Sequence, residues 1–329
     1  MGREIIDIRE VDCFILCTSA FIIFAGATTC ARASEASDVA LLKSQPWTGT
    51  LLGVSPGAPR AGLFVVEPYI LVKHGTGSFD GRGDWHPGAA DEDQLKMFSL
   101  VMYSFTDRLS FQMFPTIGRK LGSHGSDIGA GDLPIRIKYR ILDGGSEIWK
   151  PSTSLGFGIT LPVGKYNHLK NSSDGIGGGA FSLTEQIVLQ SIFLSGPFPN
   201  RMRVWASVSE PLHSVGLQGI SSYGTDQGFI GSVFPSITAQ VGWADEFAIS
   251  KVWVLSLDVV QDFGKSAHLH DNRTSRLSRT SWGSNFSIAP AIEYNLTEMT
   301  GLLVGVQIPI SGHNAASTVV PQIALNLIF

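Results

Sequence analysis

Three features of the sequence predict an all-β fold that closes into a transmembrane antiparallel barrel of about twelve strands, with both termini periplasmic. Strand-like runs of roughly ten residues recur along the chain, several of them alternate apolar with polar residues, and long connections alternate with short ones. After the amino-terminal segment, no apolar run reaches the length of a spanning helix. Because lipid offers no hydrogen-bond partners, strands that cross a membrane must close into a barrel.

The first 33 residues are predicted to be a signal peptide. Residues 13–29 form an apolar run of the length of a signal-peptide core, and Ala31 and Ala33 offer a small-residue cleavage site before Ser34. A lipid-modified Cys30 is the alternative. Residues 34–61 do not resemble a strand, and we expect a periplasmic N-terminal segment there, either a strap outside the barrel or a plug within it.

Residues 62–329 are predicted to form the barrel. Its expected strands are 62–72, 95–105, 109–118, 132–142, 152–162, 180–194, 201–211, 231–243, 247–261, 282–294, 299–310 and 319–329. The long connections are 73–94, 119–131, 163–179, 212–230, 262–281 and 311–318, and they contain all eight histidines. The short turns include 106–108 and 244–246, where an aromatic residue precedes acidic ones, as expected at a headgroup boundary. The long connections should therefore lie on the outer side.

Strand 132–142 shows most clearly which side chains face the lumen. Ile137 and Tyr139 stand on one face, and Arg136, Lys138 and Arg140 stand on the other. A basic side chain facing lipid at midplane costs about 2–4 kcal/mol, so this basic stripe should line the lumen. The same alternation gives the full set of lumen-lining candidates: Glu67, Arg136, Lys138, Arg140, Arg203, Asp258 and Glu293. We expect the stripe to pair with at least one of Glu67, Asp258 and Glu293.

The last strand carries an apolar face that ends on an aromatic residue. That face consists of Ile323, Leu325, Leu327 and Phe329. A chain that stops in this way resembles the terminal assembly signal of bacterial outer-membrane barrels. The resemblance implies localisation in the cell outer membrane. It also implies three partners, which are the barrel assembly machinery, outer-membrane lipid and lipopolysaccharide.

Charge and cysteine content exclude two classes of function. The 24 basic residues are outnumbered by 28 acidic ones, so the net charge is −4 and nothing indicates a nucleic-acid partner. Cys13, Cys17 and Cys30 all precede the predicted cleavage site. The mature chain therefore lacks a disulfide framework and a thiolate metal site.

Catalytic and metal-binding patterns are weak. His213 beside Ser214 is the nearest approach to a nucleophile and its base, yet neighbours on a strand point to opposite faces. His268 and His270 could hold a metal in a loop, and the acidic loop 73–94 could attract Ca²⁺, but solvated polar loops are the simpler interpretation. We therefore expect no enzyme activity, no metal and no cofactor.

Three segments carry a resemblance to a known family: YSFTDRLSFQM at 103–113, GDLPIRIKYRILD at 131–143 and GITLPVGKYN at 158–167. They resemble the outer-membrane channels associated with meta-pathway phenol degradation, and the similarity extends over nearly all of the mature chain. The resemblance implies a transporter-like barrel for hydrophobic or aromatic compounds. We predict an outer-membrane channel for passive uptake or efflux of small hydrophobic or aromatic solutes. A non-transporting structural or adhesive surface barrel is the alternative.

Overall fold

Twelve antiparallel strands form the wall of a closed barrel in a computed structural model of this chain. The structure describes residues 35–57, 60–88, 93–121, 128–170, 174–265 and 267–329. The predicted signal peptide, 1–33, lies outside the described residues, as does His124. Residues Ala36–Phe329 form one compact unit. None of the described helical residues belongs to a helix that is long and apolar enough to cross a membrane.

The described residues contain the α-helix α1 (Glu35–Ser44) and nineteen strands. The strands are β1 (Phe64–Phe79), β2 (Trp85–Pro87), β3 (Asp93–Ser104), β4 (Leu109–Met113), β5 (Thr116–Leu121), β6 (Gly129–Ala130), β7 (Leu133–Leu142), β8 (Ser152–Leu161), β9 (Ser182–Ser195), β10 (Phe198–Pro211), β11 (Val215–Gln218), β12 (Ile230–Phe234), β13 (Thr238–Ala248), β14 (Trp253–Gly264), β15 (His268–Asp271), β16 (Arg276–Arg279), β17 (Gly283–Asn295), β18 (Thr300–His313) and β19 (Ala315–Ile328).

Strand β1 closes the barrel because it pairs on both sides. Val65 lies opposite Ile328 of β19 and opposite Met102 of β3. Around the wall the order is β1, β3, β4 continued by β5, β7, β8, β9, β10, β13, β14, β17, β18 and β19. This confirms the predicted twelve antiparallel strands. The amino-terminal end of β1 and the carboxyl-terminal end of β19 both lie at the rim that carries the short turns. This rim is the periplasmic one.

The third wall strand is interrupted between β4 and β5, which both pair with β3. Pro115 lies at the break and has no N–H to donate. The ladder continues through neighbouring groups, since Phe114 N donates to Pro134 O at 3.0 Å and Ser99 N donates to Pro115 O at 3.1 Å. The break directs the Phe114 side chain toward the cavity described below.

The outward face of the wall is largely apolar, as a lipid-facing surface requires, although the exposed Glu185 lies on it opposite Phe157 and Val208. In β7, Ile137 and Tyr139 are exposed while Lys138 between them is buried. Aromatic pairs line the periplasmic rim: Phe64 with Phe329, Tyr103 with Phe105, Phe198 with Phe247 and Trp253 with Tyr294. An apolar belt bordered by aromatic side chains is typical of transmembrane barrels. The barrel therefore belongs in the outer membrane.

One predicted strand and its turn are wrong. The prediction placed a strand at 231–243 and a turn at 244–246, but β13 runs from Thr238 to Ala248 and the turn follows at 249–252. Asp245 and Glu246 belong to the wall, where they lie opposite Met202 and Arg201. The acidic pair was interpreted as a turn, although the burial of Ala244, Glu246 and Ala248 shows that the strand alternation continues through it.

The long connections are more ordered than predicted. β11, β15 and β16, from the predicted loops 212–230 and 262–281, form a second antiparallel sheet with β12, which lies mostly within the predicted strand 231–243. Val215, Leu217 and Val233 of this outer sheet pack in a buried cluster with Ala180. The seven described histidines lie at the outer end, as expected, although His74 and His313 belong to β1 and β18 rather than to loops.

Candidate functional site

Residues 45–57, which we call the inner segment, lie inside the barrel. Leu51 packs in a buried cluster with inward residues of the wall, among them Tyr69 and Leu303. Leu52 and Val54 pack against a second cluster that contains Trp205. The described residues 45–57 of the predicted N-terminal segment 34–61 therefore pack against inward-facing residues of the wall.

Acidic wall residues accept hydrogen bonds from the backbone of the inner segment. Glu293 Oε2 accepts from Thr48 N at 2.9 Å, and Asp258 Oδ2 accepts from Leu52 N at 3.3 Å. Both carboxylates are fully buried. The third predicted acid, Glu67, is also buried and accepts from Tyr69 Oη at 2.8 Å. Glu293 and Asp258 therefore satisfy two backbone N–H groups of the inner segment that would otherwise be buried without a partner.

Two wall asparagines add neutral hydrogen bonds to the inner segment. Asn295 Nδ2 donates to Pro46 O at 3.1 Å, and Asn326 Nδ2 donates to Thr48 O at 3.2 Å. Thr48 Oγ1 in turn donates to Asn295 Oδ1 at 2.9 Å. The segment is thus bound to β17 and β19 through its own backbone.

Lys138 holds the segment from the other side of the lumen. Its Nζ donates to Ser55 O at 2.7 Å, and its side chain is 1% exposed. β17, which carries Glu293, lies opposite β7 in the ring of strands. Backbone N–H groups of the inner segment therefore meet carboxyl oxygens, and a backbone carbonyl meets an amino group, so these buried donors and acceptors are paired across the lumen.

The three residues of the basic stripe have different environments. Arg140 donates to Asp107 O and forms an ion pair with Asp143, with Nε and Oδ1 3.1 Å apart. Arg136 contacts the ring of Phe114, with Cζ 4.8 Å from the ring centroid. Among the described residues, none of the stripe forms an ion pair with Glu67, Asp258 or Glu293. That predicted pairing is wrong, because the inner segment lies between the two sides.

An ion cluster on β10 and β13 escaped the sequence analysis. Arg201 and Arg203 both pair with Glu246, with Arg203 Nη2 and Glu246 Oε2 3.2 Å apart. Arg203 Nε also donates to Gln190 Oε1 at 3.0 Å. Arg201 lies over Trp47 of the inner segment, with Cζ 5.1 Å from the ring centroid. Glu246 was missed because its acidic neighbour suggested a turn, whereas continued alternation with Ala244 would have placed it inward.

A cavity of about 810 Å³ lies between the inner segment and the wall. One side of it is apolar, and there the rings of Tyr69 and Phe98 stack with centroids 4.4 Å apart. The opposite side is polar and includes Gln186, Ser207 and Ser209. Pockets that take drug-sized molecules have about 300–1,000 Å³ and mix apolar walls with a few polar groups. This cavity has both properties.

Polar groups of an outer loop form hydrogen bonds with one another. Asp80 accepts from the backbone N–H groups of Arg82 at 2.8 Å and Asp84 at 3.0 Å, and its Oδ2 lies 3.2 Å from His86 Nε2. The Arg82 N–H, then His86 and the Asp84 N–H, lower the pKa of Asp80 to about 2. Within the described ranges, no group of three or more His, Cys, Asp or Glu side chains is placed to hold a metal ion.

The carboxyl end closes the wall at its periplasmic rim. Phe329 N donates to Phe64 O at 2.8 Å, and Phe64 N donates back to Phe329 O at 3.2 Å. The outward face comprises Ile323, Leu325, Leu327 and Phe329, while the residues between them are buried or half-buried. The predicted assembly residues therefore lie on the lipid-facing side of the closing strand.

These features define the protein as a transmembrane β-barrel of the outer membrane with an occupied lumen. No protein-family model matches the chain. No curated protein matches it either. Among solved structures, the chain is similar to an outer membrane channel from Pseudomonas putida F1, with a TM-score of 0.59 and 14% identity over 84% of this chain and 100% of that one. At this identity the similarity is one of fold.

Two further structures are more distant. The toluene transporter TbuX from Ralstonia pickettii gives a TM-score of 0.36 and 9% identity over 87% of this chain and 97% of that one. A loop-deletion mutant of OmpT, an outer membrane protein of Vibrio cholerae, gives a TM-score of 0.33 and 9% identity over 81% of this chain and 99% of that one. TM-scores this low add nothing to the assignment.

Proposed function

We propose that this barrel is an outer-membrane channel for passive uptake or efflux of small hydrophobic or aromatic solutes. The observation that carries the proposal is the cavity of about 810 Å³ inside a closed wall, with the stacked rings of Tyr69 and Phe98 on one side. An apolar molecule gains free energy when it leaves water for such a surface. Transport would be diffusive, with no covalent step and no cofactor.

Two further considerations support this function. The resemblance of segments 103–113, 131–143 and 158–167 to channels associated with phenol degradation implies aromatic solutes. The Pseudomonas putida barrel, whose fold is similar, is described as an outer membrane channel. The phenol association itself is a part of the proposal and awaits its own test.

The inner segment defines the two routes open to a solute. An axial route requires residues 45–57 to move aside or the solute to pass beside them, because they occupy the lumen next to the cavity. A lateral route would lead from the cavity through the wall into lipid. The first route breaks hydrogen bonds such as Thr48 N to Glu293, whereas the second leaves them intact.

Uptake of N-phenyl-1-naphthylamine, an apolar dye that fluoresces in membranes, tests the function. Cells that assemble the barrel should take up the dye several-fold faster than cells with an empty vector. A third culture, which expresses an unrelated outer-membrane barrel at the same level, controls for membrane damage. An uptake rate equal to both controls would contradict the channel function and favour the non-transporting structural or adhesive alternative.

A further inference from the structure

Arg136 is a lumen cation whose charge the described chain does not neutralise. Its Nε is buried without a hydrogen-bond partner, and the guanidinium contacts the ring of Phe114. No carboxylate among the described residues forms an ion pair with it. The stem lies over β8 at Gly158, where an added Cβ would come within 2.7 Å of Arg136 Cγ. The residue is half-buried and lines the cavity, so an anion that enters the cavity can bind this guanidinium.

The other basic residues nearby are already engaged. Lys138 donates to Ser55 O of the inner segment, and Arg201 and Arg203 share Glu246. Arg140 is bound to Asp143 near the periplasmic rim. Arg108 of the lining also pairs with Asp143, so among the described cations of the cavity lining Arg136 is the one without an ion pair.

An apolar surface begins directly beside Arg136. Phe114, which the guanidinium contacts, packs against the buried cluster of Val65, Leu100 and Met102. Leu100, Met102 and Phe114 all line the same cavity as Arg136. The Arg136 guanidinium and an apolar surface thus line the same cavity, and both contact the ring of Phe114.

We propose that the preferred solute of this cavity is an amphipathic organic anion, whose carboxylate or sulfonate binds Arg136 and whose apolar body lies against Phe114, Leu100 and Met102. The inference rests on the proposed channel function and narrows its solute class. The planar guanidinium offers two parallel N–H donors, which match the two oxygens of such a group. A neutral aromatic solute would leave that charge unpaired.

Equilibrium binding to the barrel in lipid nanodiscs, measured by calorimetry, tests the inference with three probes. Naphthalene-2-sulfonate has both the apolar body and the anion, naphthalene-2-sulfonamide has the body alone, and methanesulfonate has the anion alone. We expect the first probe to bind at least about tenfold more tightly than either of the others, because hydrogen bonds to charged groups are the strong ones. Arg136→Gln should remove that advantage, and Arg136→Lys should keep part of it.

Arg82→Gln is the matched control, because Arg82 is an exposed arginine of an outer loop. It should bind all three probes as the parent does. Equal affinity for sulfonate and sulfonamide, or unchanged affinity in Arg136→Gln, would overturn the anion site. If methanesulfonate bound as tightly as naphthalene-2-sulfonate, the proposed contact with the apolar wall would be overturned. If no probe bound, both the anion site and the apolar contact would be overturned. Dye uptake tests the channel function separately. If the barrel transports the dye but fails the binding tests, only the proposed preference for organic anions is overturned.

Discussion

Replacement of Lys138 by Met should release the inner segment from one side of the lumen. Lys138 is buried in the wall, and its Nζ lies 2.7 Å from Ser55 O. Met has a similar length and no charge, so the wall stays filled while the hydrogen bond disappears. The carbonyl of Ser55 then loses its charged partner.

The size of the effect follows from this one bond. A buried carbonyl that loses its hydrogen-bond partner costs about 1–3 kcal/mol, which raises the fraction of undocked inner segment by about 10- to 100-fold. The contacts of Thr48 and Leu52 with Glu293 and Asp258 remain, so the docked state should stay predominant.

A cysteine at Val54 reports the undocked state. Val54 is half-buried and packs against the cluster that contains Trp205, so a thiol there should react faster with an impermeant maleimide after undocking. The natural cysteines all lie in 1–33, the predicted signal peptide, so the engineered thiol should be the single reactive one. Labelling of Val54→Cys should be about 10- to 100-fold faster with Lys138→Met than without it.

Arg140→Met is the matched control. Arg140 belongs to the same stripe but contacts Asp107 and Asp143 rather than the inner segment. Its loss should leave the labelling rate of Val54→Cys unchanged. Equal rates in the parent and Lys138→Met, or equal acceleration by both substitutions, would refute the reasoning.

Three further outcomes are expected. Deletion of Phe329 removes two backbone hydrogen bonds and a ring contact to Phe64. The amount of folded barrel in the outer membrane, measured by its heat-modifiable gel mobility, should therefore fall. An unchanged amount would contradict the role of Phe329 in closing the barrel. A cysteine at His86 should react with impermeant maleimide on intact cells and one at Ser250 should not, while the reverse pattern would invert the topology. An added Cβ at Gly53 would lie 3.3 Å from Ala244 Cβ, close to the disulfide range of about 3.5–4.5 Å, but 2.1 Å from Thr50 Oγ1, which the substitution Thr50→Ala removes. In that background the pair Gly53→Cys and Ala244→Cys should oxidise spontaneously, and free thiols by mass spectrometry would show that the inner segment lies elsewhere.

The alternation of apolar and polar residues predicted the wall strands correctly where one face of a strand is clearly apolar. The expected strand 132–142 matches β7, Leu133–Leu142, because Ile137 and Tyr139 face lipid while Lys138 faces the lumen. The same reasoning failed at β13, where Asp245 and Glu246 suggested a turn. The ladder with β10 and β14 overrides this local polarity, and that ladder is a long-range property.

Contacts across the lumen could not be predicted from local patterns. Lys138 meets Ser55, which lies 83 positions away in the sequence, and Thr48 meets Glu293, which lies 245 away. Nothing in the alternation of β7 indicates a partner on a segment without strand character. The outer sheet was missed for a similar reason, because β12 and β15 are short strands that are far apart in the sequence and pair through long-range contacts.

Dye uptake through a barrel with a filled cavity tests the central claim, that apolar solutes cross through the lumen. Ser207 and Ser209 of β10 line the cavity, whereas Ala206 and Val208 of the same strand face lipid. The double variant Ser207→Trp with Ser209→Trp should lower N-phenyl-1-naphthylamine uptake to the level of cells without the barrel. Ala206→Trp with Val208→Trp should leave the uptake rate unchanged at equal amounts of assembled protein. Equal uptake by both double variants would show that the solute does not pass through the cavity.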